Sequence, residues 1–226
     1  MILHTDISTH YGTDRLFAHR HADAYVAVVL DGGYSELSAD GAWFCEPGDV
    51  VVHPPHHLHA NSFKGRTKVL NLRVPLEYAS YREFRSYSVV RPACCDEVMR
   101  AMNDPGALRQ ELCSAIPVGQ QLPSDWVDAM ARDLSANAEL RIAELAKKYA
   151  VTNEHASRAF RKRYLMTPSE LRSEGRFRRA LELLHRPQYS LAEIAQLAGY
   201  SDQAHFTRDC SKITGSSPGK LRGSQP

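Results

Sequence analysis

Eight of the eleven histidines fall within the first 59 residues, six of them in two stretches that could carry chemistry. The first, HRHADAYVAVVLDGG at 19–33, sets His19 and His21 one residue apart on an extended run. The second, EPGDVVVHPPHHLHANSF at 46–63, holds His53, His56, His57 and His59. Neutral imidazole suits zinc, copper, iron and nickel, and three imidazoles can hold a divalent ion while leaving positions open for water or a ligand. A plainer reading is also open. The same histidines could line a strand, an exposed loop or the wall of a small-molecule pocket, with the phenol of Tyr25 meeting a ligand's polar group and the apolar interior holding the rest.

The elements around these residues read as short strands: YVAVVL, YSELSAD with a turn at Asp40-Gly41, AWFCE, a Pro47-Gly48-Asp49 turn, VVVH and KVLNLRV. Together they predict a small antiparallel barrel or sandwich between Ala18 and Val74. After Pro75 the spacing becomes helical, with helices expected near 94–102 and 107–115. PVGQQLPSD, with two prolines and a glycine, reads as a linker, and beyond it the sequence is helical to its end. The expected fold class is α+β in two domains.

Charge follows the same division. Residues 139–226 carry 16 Lys+Arg against 9 Asp+Glu, net +7, and residues 1–138 carry 12 against 17, net −5. The C-terminal part therefore suits nucleic acid and the N-terminal part does not. No apolar run is long enough to span a bilayer, the N-terminus lacks a signal-peptide pattern, and the five cysteines follow no disulfide spacing. A cytoplasmic protein with reduced thiols, away from the membrane, is expected.

The C-terminal part repeats itself. IAELA at 142–146 matches LAEIA at 191–195, SRAF at 157–160 matches TRDC at 207–210, and TPSELR at 167–172 matches SPGKLR at 217–222, at offsets of 49 or 50. Ser190 with Glu193 forms a capping box, and Thr167, Pro168 and Glu170 mark a second helix start. Gly199 ends the helix begun at Ser190, and another starts at Ser201 or Asp202. Helix, tight turn and a second helix rich in arginine and small polar residues make a helix-turn-helix unit, here present twice with Arg158 and Arg208 at equivalent places. Arg141 stands where the second copy has Ser190, so the first copy is expected to lack that cap.

SLAEIAQLAGYSDQAHFTRDCSKITGSSPGKLR, residues 190–222, closely resembles the signature of the AraC/XylS family of bacterial transcription regulators, and the likeness reaches back to about Ser124. The resemblance implies two helix-turn-helix units joined by a long helix at 168–185, which set two recognition helices into successive major grooves of double-stranded DNA. It implies base reading by Glu154, His155, Ser157 and Arg158 from the first and by Gln203, Ala204, Thr207 and Arg208 from the second. Arg161, Lys162, Arg163 and Lys212 are expected to neutralise phosphates.

The two histidine stretches resemble the half-motifs of a cupin barrel, the usual sensor domain of that family. By this likeness His19, His21, Tyr25 and His59 line an effector pocket, and His19, His21 and His59 are the ligands of an optional divalent metal, with Tyr25 where metal-binding cupins place a glutamate. The implied domains are a cupin-like effector-sensing and dimerisation domain at 1–116, a linker at 117–123 and a DNA-binding domain at 124–226. The implied protein is a homodimeric regulator, not an enzyme, with a small-molecule effector, with RNA polymerase as a potential partner and with no certain cofactor. The alternative is a metal-dependent cupin enzyme carrying a helical accessory domain.

Overall fold

A computed structural model of the chain describes residues 5–74, 82–85, 87–101, 103–119, 125–137 and 140–223. They form two compact units, one holding the strands and the first three helices, the other the remaining helices. The α+β architecture expected from the sequence holds.

In the first unit, a six-stranded sheet runs in the order β1 (Thr5–His10), β8 (Thr67–Arg73), β3 (Tyr25–Asp31), β6 (Val50–His53), β9 (Ser88–Arg91), β10 (Ile116–Pro117). A four-stranded sheet runs β2 (Arg15–His19), β7 (His59–Phe63), β4 (Tyr34–Ser38), β5 (Gly41–Cys45). Every strand pair whose register is described is antiparallel. The unbroken valine runs of β3 and β6 arise because both faces of the larger sheet are covered. Ala27, Val29, Val51 and Val69 cluster with Tyr34, Trp43, Cys45 and Phe63 of the smaller sheet. The alternate residues Val26, Val28, Val50, Val52, Leu70 and Leu72 pack instead with Phe84, Val98, Leu108 and Leu112 of α1 (Arg82–Arg85), α2 (Cys95–Ala101) and α3 (Pro105–Ser114). This period of two puts Tyr25 and His53 on the face that looks between the sheets.

Gly32, in the quoted Gly-Gly pair, has φ 73°, and a Cβ there would collide with the carbonyl of Arg66, so only glycine closes this turn. One boundary needs correction. Ile116 and Pro117 pair with Arg91 and Val90, and Val118 donates its N–H to Val89 O at 2.8 Å while accepting from Trp43 Nε1 at 3.2 Å. The first residues of the expected linker are thus tied into the sheet by ladder bonds, and 120–124 lie outside the described residues.

The second unit begins with α4 (Trp126–Ala136), capped by Asp125. The first helix-turn-helix is α5 (Ile142–Lys148) and α6 (Asn153–Tyr164); α7 (Pro168–Leu184) leads to the second, α8 (Leu191–Leu197) and α9 (Gln203–Thr214), followed by α10 (Pro218–Gly223). Both expected capping boxes form: Ser190 with Glu193 and Thr167 with Glu170. Arg141 makes no side-chain cap.

The two turns are equivalent down to their hydrogen bonds, Val151 N to Ala146 O in one and Tyr200 N to Ala195 O in the other, each 2.9 Å. The left-handed residue of the second turn is Gly199 (φ 83°), whereas the first uses Ala150 (φ 54°). The same contrast recurs after the recognition helices, where Gly215 (φ 71°) corresponds to Leu165 (φ 54°). A Cβ in this region costs about 1–2 kcal/mol, so the first copy carries strain that the second relieves with glycine.

Candidate functional site

Both recognition helices start from a capped N-terminus. Thr152 Oγ1 accepts from His155 N at 3.1 Å, and Asp202 Oδ1 accepts from His205 N at 2.7 Å. Each helix buries one stripe, Ala156, Phe160 and Tyr164 on α6 and Phe206 and Cys210 on α9, so the opposite face is left to solvent. Glu154, His155, Arg158, Arg161 and Lys162 are exposed on α6, as are Gln203, Ala204, Arg208 and Lys212 on α9; Ser157 and Thr207 are half-buried at equivalent places. The His155 ring also meets Trp126 of α4, with centroids 5.5 Å apart.

Arg163 departs from this face. Its guanidinium donates to both carboxylate oxygens of Asp128, Nε to Oδ1 at 3.1 Å and Nη2 to Oδ2 at 2.8 Å, and the Tyr164 hydroxyl donates to the same Oδ1 at 2.7 Å. A bidentate pair at a carboxylate only 6% exposed commits the cation to α4, which corrects the expectation that Arg163 neutralises phosphate. Asp133, one and a half turns along α4, likewise takes Lys148 Nζ at 2.6 Å and the Tyr149 hydroxyl at 2.8 Å. Sequence reading missed α4 as the brace of the first helix-turn-helix, because its partners lie 15 to 36 residues away and no local spacing marks them.

In the barrel, register brings the distant histidines together. His19 of β2 faces His59 of β7, and Tyr25 of β3 faces His53 of β6. Tyr25 and His53 stack with centroids 4.2 Å apart and planes 7° from parallel. The Tyr25 hydroxyl lies 2.8 Å from His59 Nε2, and His59 Nδ1 lies 3.1 Å from the His57 carbonyl. With Nδ1–H donated to that carbonyl, Nε2 accepts from the phenol. The 53–59 loop is held by His56 N bonding to His21 O at 2.8 Å and by Arg20 Nη1 bonding to His56 O at 2.6 Å.

A cavity of about 610 Å³ opens beside this group, lined by His19, His21, Tyr25, Asn61, Asn71 and Arg73 among others. Three of the four expected pocket residues reach it. His59 does not; it is buried behind them, joined to Tyr25. Burial, with the neighbouring imidazoles His19 and His57, holds His59 well below the usual histidine range, and burial with His59 and His57 does the same to His53, so both are neutral near pH 7. Burial, and secondarily the nearby Glu36 carboxyl, pushes the Tyr25 phenol well up.

His19, His21 and His59 bring their nitrogens within 4.8 Å of one another. His19 Nδ1 lies 2.8 Å from Phe17 O, which turns its Nε2 outward, as metal-binding histidines commonly are. These residues fit a divalent ion once the Tyr25 hydroxyl releases His59 Nε2. No local spacing marks Glu36, a carboxyl on β4 with no exposed surface, which accepts from Asn61 Nδ2 at 2.7 Å and stands 3.9 Å from His53 Nε2.

The chain's likeness to known proteins is concentrated in the second unit. Residues 145–224 match a helix-turn-helix domain family. The Msm operon regulatory protein of Streptococcus mutans is 32% identical over 85 residues, covering 38% of this chain and 31% of that protein, so the match spans under a third of that relative's length. The arabinose operon regulatory protein of Salmonella typhimurium is 22% identical over 233 residues, covering 88% of this chain and 83% of that one. Among solved structures, ToxT from Vibrio cholerae covers 97% of this chain and 94% of its own at 10% identity and a TM-score of 0.42. The DNA-binding domain of AdpA in complex with a target DNA covers 45% of this chain and 93% of its own at 24% identity and a TM-score of 0.42. Residues 145–224 thus carry a helix-turn-helix domain, and the chain is similar to these operon regulatory proteins.

Proposed function

We propose that this protein is a sequence-specific transcription regulator that reads DNA with α6 and α9 and whose barrel senses a small molecule. The observation that carries the DNA half is the repetition, 50 residues apart, of one exposed surface: a capped N-terminus, then Ser157 with Arg158 in one copy and Thr207 with Arg208 in the other. Arginine forks onto guanine O6 and N7, and Gln203 is suited to adenine. Glu154 can accept from a cytosine amino group, and His155 and Ala204 complete the two base-reading faces. Arg161, Lys162 and Lys212, exposed farther along the helices, supply phosphate contacts without sequence choice.

The sensing half rests on the cavity between the sheets, whose lining mixes apolar and polar side chains. A ligand of modest size would meet His19, His21 and Tyr25, with His59 acting through the Tyr25 hydroxyl. An optional divalent ion at His19, His21 and His59 would help bind the effector. Effector binding alters DNA binding only through unequal affinity for two arrangements of the chain. Homodimerisation through the helices at 94–116 and contact with RNA polymerase belong to the same reading. The test is a band shift on DNA upstream of the protein's own and neighbouring genes at about 150 mM salt, where screening removes long-range attraction. Specific, competitor-resistant complexes are expected; their absence with and without cell extract refutes the reading.

A further inference from the structure

Behind the effector cavity lies a second group of histidines. His53, His57 and His59 are each about 1% exposed, and their nitrogens also fall within 4.8 Å of one another. We propose that His53, His57 and His59 form a buried binding site for a divalent transition-metal ion of the zinc class, with Glu36 oriented behind His53.

Three observations carry this site. First, His53 Nδ1 and His57 Nδ1 are 3.4 Å apart, long for a nitrogen–nitrogen hydrogen bond. Two imidazoles bound at about 2.05 Å and separated by the tetrahedral angle would stand about 3.3 Å apart, so this edge is already set for zinc. Second, with His53 offering Nδ1, its Nε2–H looks toward Glu36 Oε2 at 3.9 Å. The separation is longer than a hydrogen bond, and closing it would give the carboxylate–histidine–metal arrangement by which proteins fix a ligand's tautomer and raise its basicity. Third, the other Glu36 oxygen, Oε1, is buried without a hydrogen-bond partner, and no lysine or arginine pairs with this carboxyl among the described residues. A cation held by these imidazoles would have this buried carboxyl behind it.

Rings fix the geometry further. His53 is stacked on Tyr25, and His57 lies at 4.5 Å and 20° to Tyr87. His59 is 4.3 Å from His53 by ring centroid and needs only a ring adjustment to complete the triad. The Tyr25 hydroxyl, 2.8 Å from His59 Nε2, has to release that nitrogen when His59 binds the ion. Because His59 belongs to both histidine groups, an ion in the inner one leaves His19 and His21 facing the cavity for the effector.

The site is tested on the full-length protein after chelator dialysis, by titration with Co²⁺ and then Zn²⁺ alone. One equivalent of Co²⁺ should bind, with the intense visible bands of four-coordinate cobalt, and Zn²⁺ should displace it. The His19→Ala/His21→Ala variant alters residues outside the buried triad and should keep both stoichiometry and spectrum. His57→Ala should abolish binding, and the near-isosteric Glu36→Gln should weaken it by about 10–100-fold. No stoichiometric binding by the wild type, or loss of binding in His19→Ala/His21→Ala, overturns the proposal whether or not His57→Ala folds. None of these readouts uses DNA or an effector, so failure of the metal site is distinguishable from failure of the regulatory reading.

Discussion

Replacing Asp128 by Asn should unfold the helical unit at a much lower temperature. The change leaves shape intact but removes the charge that accepts two bonds from Arg163 and one from Tyr164. Removing one partner of a buried ion pair costs about 3–5 kcal/mol. The Arg163 side chain is 26% exposed, so water recovers part of this and the ionic loss falls to about 2 kcal/mol. The Tyr164 hydroxyl, buried and left with a poorer acceptor, adds about 1 kcal/mol. A loss of about 3 kcal/mol in a unit of this size lowers the melting temperature by roughly 12–24 °C. The assay is heat unfolding followed by far-UV circular dichroism, with Arg163→Met and the double variant completing a cycle whose coupling should exceed about 1 kcal/mol. A variant melting within about 2 °C of wild type refutes the reasoning, given the sensitivity just used. So does an Arg163→Ala protein of unchanged stability whose DNA affinity loses about one unit of salt slope, since that is the behaviour of a phosphate contact.

Other outcomes follow from the same geometry. Ala150→Gly relieves a left-handed alanine and should stabilise the unit by roughly 0.5–1 kcal/mol, read as a raised denaturant midpoint. Burial raises the Asp128 carboxyl, but hydrogen bonds from Arg163 and Tyr164 outweigh it and leave it below its ordinary 3.8; the Lys148 bond, with Tyr149, does the same for Asp133. Both carboxyls therefore add stability that is fully present above pH 3.8 and fades as pH falls through their lower folded-state values. Melting temperature should drop in that acid window, and the drop should be smaller in Asp128→Asn. Arg208→Ala should cost about 1–3 kcal/mol in operator binding and relax preference at one base pair. Lys212→Ala should weaken all sequences alike and reduce the salt slope by about one unit, measured by fluorescence anisotropy.

The parts legible in the sequence were those governed by local chemistry. The valine runs of β3 and β6, the capping boxes at Thr167 and Ser190 and the turn at Gly199 each carry their cause within a few residues. β1 (TDISTH), β2 (RLFAH) and β7 (HANSF) carry no such mark, because exposed or histidine-bearing strands interrupt the apolar alternation that would reveal them. The inward orientation of Tyr25 follows from its parity with Ala27 and Val29, but only the register shows that it meets His53. Glu36 and Asp128 read as ordinary acidic residues. Their partners Asn61 and Arg163 arrive through tertiary pairing 25 and 35 residues away.

The most direct test of the central claim, that two recognition helices of one chain read DNA together, is a hydroxyl-radical footprint on the operator. Wild-type protein should protect two patches on one face of the duplex about 10 base pairs apart, and Arg158→Ala and Arg208→Ala should each weaken protection at a different patch. A single patch, or two patches that respond identically to both substitutions, would contradict the account.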